Sequence, residues 1–406
     1  MTDVAHPFVK RARASVVQGP VREQFLPFNQ PDIGEEEIDE VVKTLRSGWI
    51  TTGPRTKEFE RRFAAYVNSR HAIAVNSCTG GLHVALAAAG IGPGDEVVVP
   101  TMTFCATANV VVHLGATPII VDVEPDTLNI DPQCLDAAIT RRTKAVIPVH
   151  LYGHPCEMDR INDITEAHDV LVIEDAAHAV AAEWRGRRIG SFSLATAFSF
   201  YATKNLTTAE GGMITTDDDD YAERMRIWSL HGISRDAWKR YSAEGSWYYE
   251  VSVPGFKYNL TDLQAALGLH QLSRLEDMTC RRAKLAGQYR AGLSGLPEVE
   301  LPIVRPGIRH AWHLYPIRLR PELLTIDRAR FIEQLKSEGI GTSVHFIPLH
   351  RHPYYRDRFH FQPSDFPVAD AAYERLISLP LYPRMTDSDV SDAIEAVRRV
   401  VRSNRR

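Results

Sequence analysis

Between residues 71 and 173 five short apolar runs, at 71–75, 96–99, 117–121, 145–149 and 170–173, recur with about twenty residues of helix-compatible chain between them. Runs that short are strand length, and connections that long suit crossover helices. The rhythm therefore predicts an α/β fold built on a mostly parallel sheet buried between helices. Reactive groups in such sheets gather where the strands end, so the residues just after each run are the ones to inspect.

At 406 residues the chain exceeds one small core, and two domains are expected. Ile38, Val41, Val42 and Leu45 sit at helical spacing before Gly48, and Phe59, Phe63 and Val67 repeat the pattern. A helical stretch at 260–293 leads into a second region. There 312–319 and 341–346 read as strands, and 328–337, 368–377 and 387–401 as helices. Residues 1–24, with Lys10, Arg11, Arg13 and Arg22, read as a loose N-terminal extension. Residues 25–275 form the expected large domain and 276–406 a smaller α+β domain. The balance of 47 basic against 51 acidic residues gives −4, which argues against a nucleic-acid partner. Five cysteines without a C-x-x-C pair fit a reducing compartment. With no apolar run of signal or membrane-spanning length, a cytoplasmic location away from membranes is expected.

Four features then fall in order at strand ends. Asn76-Ser77-Cys78-Thr79-Gly80-Gly81 follows the run at 71–75 and opens an apolar helix, so free amides, hydroxyls and glycines could receive a phosphate. Phe104 follows the run at 96–99 and could lie flat on an aromatic ring. Glu174-Asp175-Ala176-Ala177-His178 ends a uniformly apolar run, where a buried Asp175 could hold a pyridine nitrogen protonated, with an N-cap role as the plain alternative. Lys204 follows the apolar run 195–201 and precedes Glu210-Gly211-Gly212. A lysine held out of water there exposes the free amine that imine chemistry needs. A phosphate cradle, a stacking ring, a carboxylate and an amine are together the needs of pyridoxal 5'-phosphate (PLP).

Other features are decoys for a dinucleotide or metal site. Gly90-Ile91-Gly92-Pro93-Gly94 mimics a dinucleotide fingerprint, but it follows a helix instead of opening one and reads as a C-cap and turn. His345, His350 and His352 lack acidic or cysteine partners at metal-ligand spacing, so no metal is expected. Asp217–Asp220 reads as a solvated turn.

The chain resembles the DegT/StrS sugar nucleotide aminotransferases, PLP enzymes of fold type I, from about Phe25 to Val400. The carriers are Ser47-Gly48-Trp49-Ile50-Thr51-Thr52-Gly53-Pro54, Gly94-Asp95-Glu96-Val97, Thr103-Phe104, Glu174 to Ala179, Ser199-Phe200 with Lys204, Glu210-Gly211-Gly212, and Gly255 to Asp262. Ala311-Trp312-His313-Leu314 and Gly341 to Phe346 look closest to the branch that makes UDP-4-amino-4-deoxy-L-arabinose. The resemblance implies Lys204 as the Schiff-base lysine and proton shuttle, Asp175 beside the pyridine nitrogen and His178 beside the ring hydroxyl. It implies Ser199 and Ser77, Cys78, Thr79 and Gly80 around the phosphate, and Phe104 on the ring. It further implies a homodimer with shared active sites, in which Asn259 reaches the neighbouring subunit's phosphate. Thr51, Thr52 and His345 would line the substrate pocket. The substrates implied are L-glutamate and a nucleotide-linked keto sugar, aminated at C4.

Two rivals share the fold. PLP-dependent sugar dehydratases of this kind replace the lysine with histidine, which Lys204 contradicts. A catalytically inactive sugar-nucleotide-binding regulatory protein would not need the whole constellation. The aromatic stretch 232–249, with Trp238, Trp247, Tyr248 and Tyr249, is expected either to cover the sugar nucleotide or to pack in an interface.

Overall fold

The computed structural model describes residues 19–233 and 248–406. Seven strands form the main sheet: β1 His71–Val75, β2 Glu96–Pro100, β3 Thr117–Val121, β4 Thr143–Val146, β5 Leu171–Asp175, β6 Ala195–Ser199 and β7 Gly212–Thr216. Their order is β1-β7-β6-β5-β4-β2-β3. Neighbours from β3 through β6 are parallel, whereas β7 is antiparallel to both β1 and β6. Six strands thus point one way. Gly212 at the start of β7 pairs with both Val75 and Ser199, the last residues of β1 and β6. Three chain segments therefore meet at one edge of the sheet.

Helices cover both faces. Cys78–Ala88 is almost wholly buried on one side among Val75, Leu82, Leu86 and Ile214, and Phe59, Phe63, Phe198 and Phe200 pack on the other. Uniformly apolar strands are what such two-sided burial requires. The helix Asp262–Leu293 packs Leu269, Leu272, Leu275 and Met278 into the second cluster, then Leu285, Tyr289 and Leu293 into a third. That third core belongs to an antiparallel sheet of β8 Val299–Glu300, β9 Tyr315–Leu319 and β10 Leu376–Leu379, with the helices Arg328–Ser337 and Asp387–Asn404. The residue 275/276 boundary falls inside the long helix, just before it changes cores.

Several sequence expectations need correction. The stretch 341–346 is not a strand; only Ser343 pairs, with Ser378. The expected helix 368–377 divides into the helix Pro367–Tyr373 and β10, because Leu376–Leu379 is buried on both faces and its short apolar run carries no decisive period. The fourth strand ends at Val146, and β5 runs on to include Glu174 and Asp175. The described end of the extension is not loose. Arg22 Nη1 lies 2.6 Å from Asp389 and 2.7 Å from Asp392, and the Val21 amide donates to Glu338. The glycine decoy resolves as expected, with Gly90 and Gly94 at φ +80° and +95° in the turn before β2.

Candidate active site

A cavity of about 360 Å³ opens at the carboxyl ends of the strands. Ser77, Cys78, Thr79, Phe104, Asp175, His178, Ser199, Lys204 and His345 all line it. Nine sequence-predicted residues, drawn from positions 77 to 345, thus share one space.

Glu174 and Asp175 close β5, and alternation sends the two side chains to opposite faces. Glu174 is sealed on the far side by His150 Nε2 at 2.7 Å and Thr196 Oγ1 at 2.9 Å. Asp175 faces the cavity. Its Oδ2 accepts from Thr107 Oγ1 at 2.8 Å, and Thr107 is itself bonded to Thr103. Its Oδ1 accepts from the Ala177 amide at 3.1 Å, with the Cys78 thiol at 3.8 Å. Asp175 caps no helix; these donors hold a buried carboxylate ready for a cation.

Lys204 stands in the turn between β6 and β7, its amide bonded to the Tyr201 carbonyl. Burial pushes its ammonium down to about 8, although Cys78 and Asp175 pull the other way. Side-chain surface remains open only in part, as a group lining a cavity requires. A free amine is accordingly accessible near neutral pH.

Three imidazoles line the same cavity as this amine. Burial and the Lys204 charge hold His178 well below the ordinary histidine value and His345 at about 4. His313, which sequence reasoning gave no role, is likewise held low by burial and by His178. His178 Nδ1 accepts from the Tyr152 amide at 3.2 Å, an approach made possible by Tyr152 at φ 61°. A non-glycine residue there costs of order 1–3 kcal/mol, strain that collects at functional sites. His345 is held by Ser378 at 3.0 Å and stacks on Phe28.

The anion cradle differs in detail from expectation. Ser77 Oγ caps the helix Cys78–Ala88 by accepting from the Gly80 amide at 3.0 Å, so that amide is spent and Gly80 does not line the cavity. Among the described residues nothing accepts from the amides of Cys78 and Thr79, which remain for an anion at the helix start. A Cβ at Gly212 would come within 2.6 Å of the Ser77 carbonyl carbon and 2.7 Å of the Cys78 nitrogen, so the cradle closes only over glycine. Phe104 is 59% exposed at the cavity and tilted against Phe346, an aromatic face without full burial.

Thr51, Thr52 and Asn259 are not brought to the cavity within one chain. Asn259 Nδ2 donates to Thr52 Oγ1 at 2.6 Å, Thr52 in turn bonds the Leu260 carbonyl, and the Thr51 carbonyl accepts from Asp262. The aromatic stretch 232–249 lies outside the described residues at 234–247. Thr107, Tyr152 and Asn205 are supports that no local signal in the sequence announced.

An aldehyde cofactor with a phosphate and a basic ring nitrogen fits these residues: an amine, a buried carboxylate, free helix amides and an exposed aromatic ring. The fold and the site define a PLP-dependent aminotransferase. Residues 31–398 match the DegT/DnrJ/EryC1/StrS aminotransferase family, and the chain belongs to it. It is 55% identical over 382 residues to the spore coat polysaccharide biosynthesis protein SpsC of Bacillus subtilis, covering 94% of this chain and 98% of SpsC. Spr1654 of Streptococcus pneumoniae, solved in PMP and PLP forms, superposes with a TM-score of 0.87. Its PMP form is 37% identical, covering 93% of this chain and 99% of that one. PseC of Helicobacter pylori, an aminotransferase in pseudoaminic acid biosynthesis, gives 0.87 at 27% identity, covering 94% and 100%. The neighbours are fold type I PLP enzymes, and the protein is a PLP-dependent sugar aminotransferase.

Proposed function

We propose that this enzyme moves an amino group from L-glutamate to the C4 keto carbon of a nucleotide-linked sugar, in the cytoplasm, as a homodimer with shared sites. What supports the reading is the placement of an amine titrating near 8 in the same cavity as a buried, donor-held carboxylate. When bound, PLP supplies an aldehyde that takes up the amino group and a ring that accepts electrons from the substrate carbon. Asp175 holds a proton at the ring nitrogen, because an ionised neighbour favours the cation. Lys204 Nζ takes the proton from Cα of the amino donor and delivers it to the former aldehyde carbon within the same half-reaction, the second half-reaction running the transfer in reverse; such transfer contributes about 10²–10⁴-fold. The Cys78 and Thr79 amides with Ser77 and Ser199 hold the phosphate, Phe104 lies on the ring, and His178 donates from Nε2 to the ring hydroxyl.

A cavity of about 360 Å³ is at the small end for ligand sites. It holds the reacting ends, while the nucleotide lies over the mouth beside exposed Phe104 and Tyr201. Asn259, paired with Thr52, serves the neighbouring subunit's phosphate; Thr51, Thr52 and His345 line the sugar path. SpsC, named for polysaccharide biosynthesis, supports a sugar precursor as the acceptor. The test is incubation with glutamate and a panel of UDP- and dTDP-4-keto sugars, read by mass spectrometry. Amino sugar with matching 2-oxoglutarate is expected, and neither with Lys204→Ala. Turnover surviving Lys204→Ala, or no aminated sugar across the panel, contradicts the proposal.

A further inference from the structure

The two hydroxyls under Asp175 can be ordered in only one direction. An ionised carboxylate accepts and does not donate, so Thr107 spends its single hydroxyl proton on Asp175 Oδ2 at 2.8 Å. The 2.8 Å contact between Thr103 Oγ1 and Thr107 Oγ1 is then a donation from Thr103. A hydroxyl that accepts one hydrogen bond donates the next more strongly, so the two bonds reinforce each other. Both threonines are buried, and a donor to a charged group is about twice as strong as one between neutral groups. The other donors lie farther off: the Ala177 amide reaches Oδ1 at 3.1 Å, and the Cys78 thiol stands at 3.8 Å. Among the described residues Thr107 alone engages Oδ2. The same turn carries the aromatic face. Thr103 and Thr107 flank Phe104, and the Thr107 amide donates to the Phe104 carbonyl at 3.2 Å as the helix Ala106–His113 begins. Thr107 itself does not line the cavity, so what it does there it does through Asp175.

We propose that Thr107, oriented by Thr103, is a positioning residue that keeps the proton shared with Asp175 on the cofactor's ring nitrogen. A hydrogen bond to the charged form of a buried carboxylate favours that form, and losing the donor leaves the charge poorly solvated. Opposite a pyridine nitrogen such a carboxylate takes the proton for itself, and a neutral pair replaces the ion pair. Only the proton changes place, from nitrogen to oxygen. The ring then draws electrons from the substrate carbon less strongly. The inference rests on the reading that sets Asp175 beside the ring nitrogen, and adds to it the hydroxyls that decide which partner holds the proton.

The ¹⁵N NMR signal of protein loaded with PLP labelled at the ring nitrogen reads the proton's place directly. Wild type is expected to give the shift of a pyridinium. Thr107→Val nearly keeps the shape and removes the hydroxyl, and its signal should move towards that of a neutral pyridine. Thr107→Ser should restore the wild-type position. Thr103→Val leaves the bond to Asp175 but removes the donor behind it, so a smaller move in the same direction is expected; it carries the test where Thr107→Val does not fold. In turnover Thr107→Val should lower kcat about 10-fold or more with KM for the sugar little changed, as the loss of one hydrogen bond to a charged group requires. A simple packing defect would lower Tm or cofactor affinity and leave the nitrogen signal where it was. A neutral pyridine in the wild type, or a wild-type signal in Thr107→Val, overturns the proposal. Asp175→Asn tells the two readings apart. If it moves the signal and Thr107→Val does not, this inference falls and Asp175 keeps its place at the ring; if neither moves it, both fall.

Discussion

In cofactor-free protein the rate at which Lys204 captures PLP is set by the fraction of its side chain present as free amine. Burial places that ionisation at about 8 instead of 10.5. At about pH 7.5 roughly a quarter of Lys204 is neutral, against about one part in a thousand for an ordinary lysine, an advantage of about 200-fold. The assay is stopped-flow absorbance of PLP uptake from about pH 6 to 10, divided by the rate for a simple alkylamine so that the cofactor's own ionisations cancel. The ratio should be largest and constant below about pH 8, break downward at the midpoint near 8, and level off only towards 10.5, where the alkylamine is itself neutral. Asp175→Asn should move the midpoint lower still, because the carboxylate pulls the ammonium up. The same ionisation enters stability. A folded value below the unfolded one means that the unfolded chain binds more protons between about 8 and 10.5. The penalty is therefore complete below about pH 8 and fades as pH climbs to 10.5. Lys204→Met should raise the cofactor-free Tm at about pH 7, by a margin that shrinks towards pH 10.5. A capture midpoint near 10.5, or an upward move in Asp175→Asn, would refute the reasoning.

Other substitutions separate packing from chemistry. Gly212→Ala forces a methyl against the Ser77 and Cys78 backbone; a loss of about 1–3 kcal/mol in denaturant melts and weaker PLP binding are expected. Phe104→Leu should raise the PLP Kd about 2–12-fold, equivalent to about 0.5–1.5 kcal/mol of ring contact, without changing Tm, because the ring is exposed. Arg282→Met removes a buried guanidinium, whose pKa burial lowers to about 10, from the Leu381, Trp312 and His313 carbonyls. Urea unfolding should show a loss of about 1.5–3 kcal/mol for each strong charge-assisted bond broken.

The strands and their chemical endings were legible because a parallel sheet imposes apolar runs and leaves polar residues only where function or solvent permits. Asp175 and Lys204 stood out for that reason. Less was readable where support comes from tertiary contacts. Thr107 under Asp175, Tyr152 behind His178 and Asn205 behind His313 are joined over 68, 26 and 108 residues of chain. The stretch 341–346 reads as a strand from the sequence, but only Ser343 joins a ladder, through Ser378. Arg22 reads as part of a loose extension in the sequence, because its acidic partners lie 367 and 370 residues away.

The most direct measurement is borohydride reduction of PLP-loaded protein followed by peptide mass spectrometry. A pyridoxyl group on Lys204 alone, absent from Lys204→Ala, is the predicted outcome. A label on another lysine, or none at all, would contradict the account.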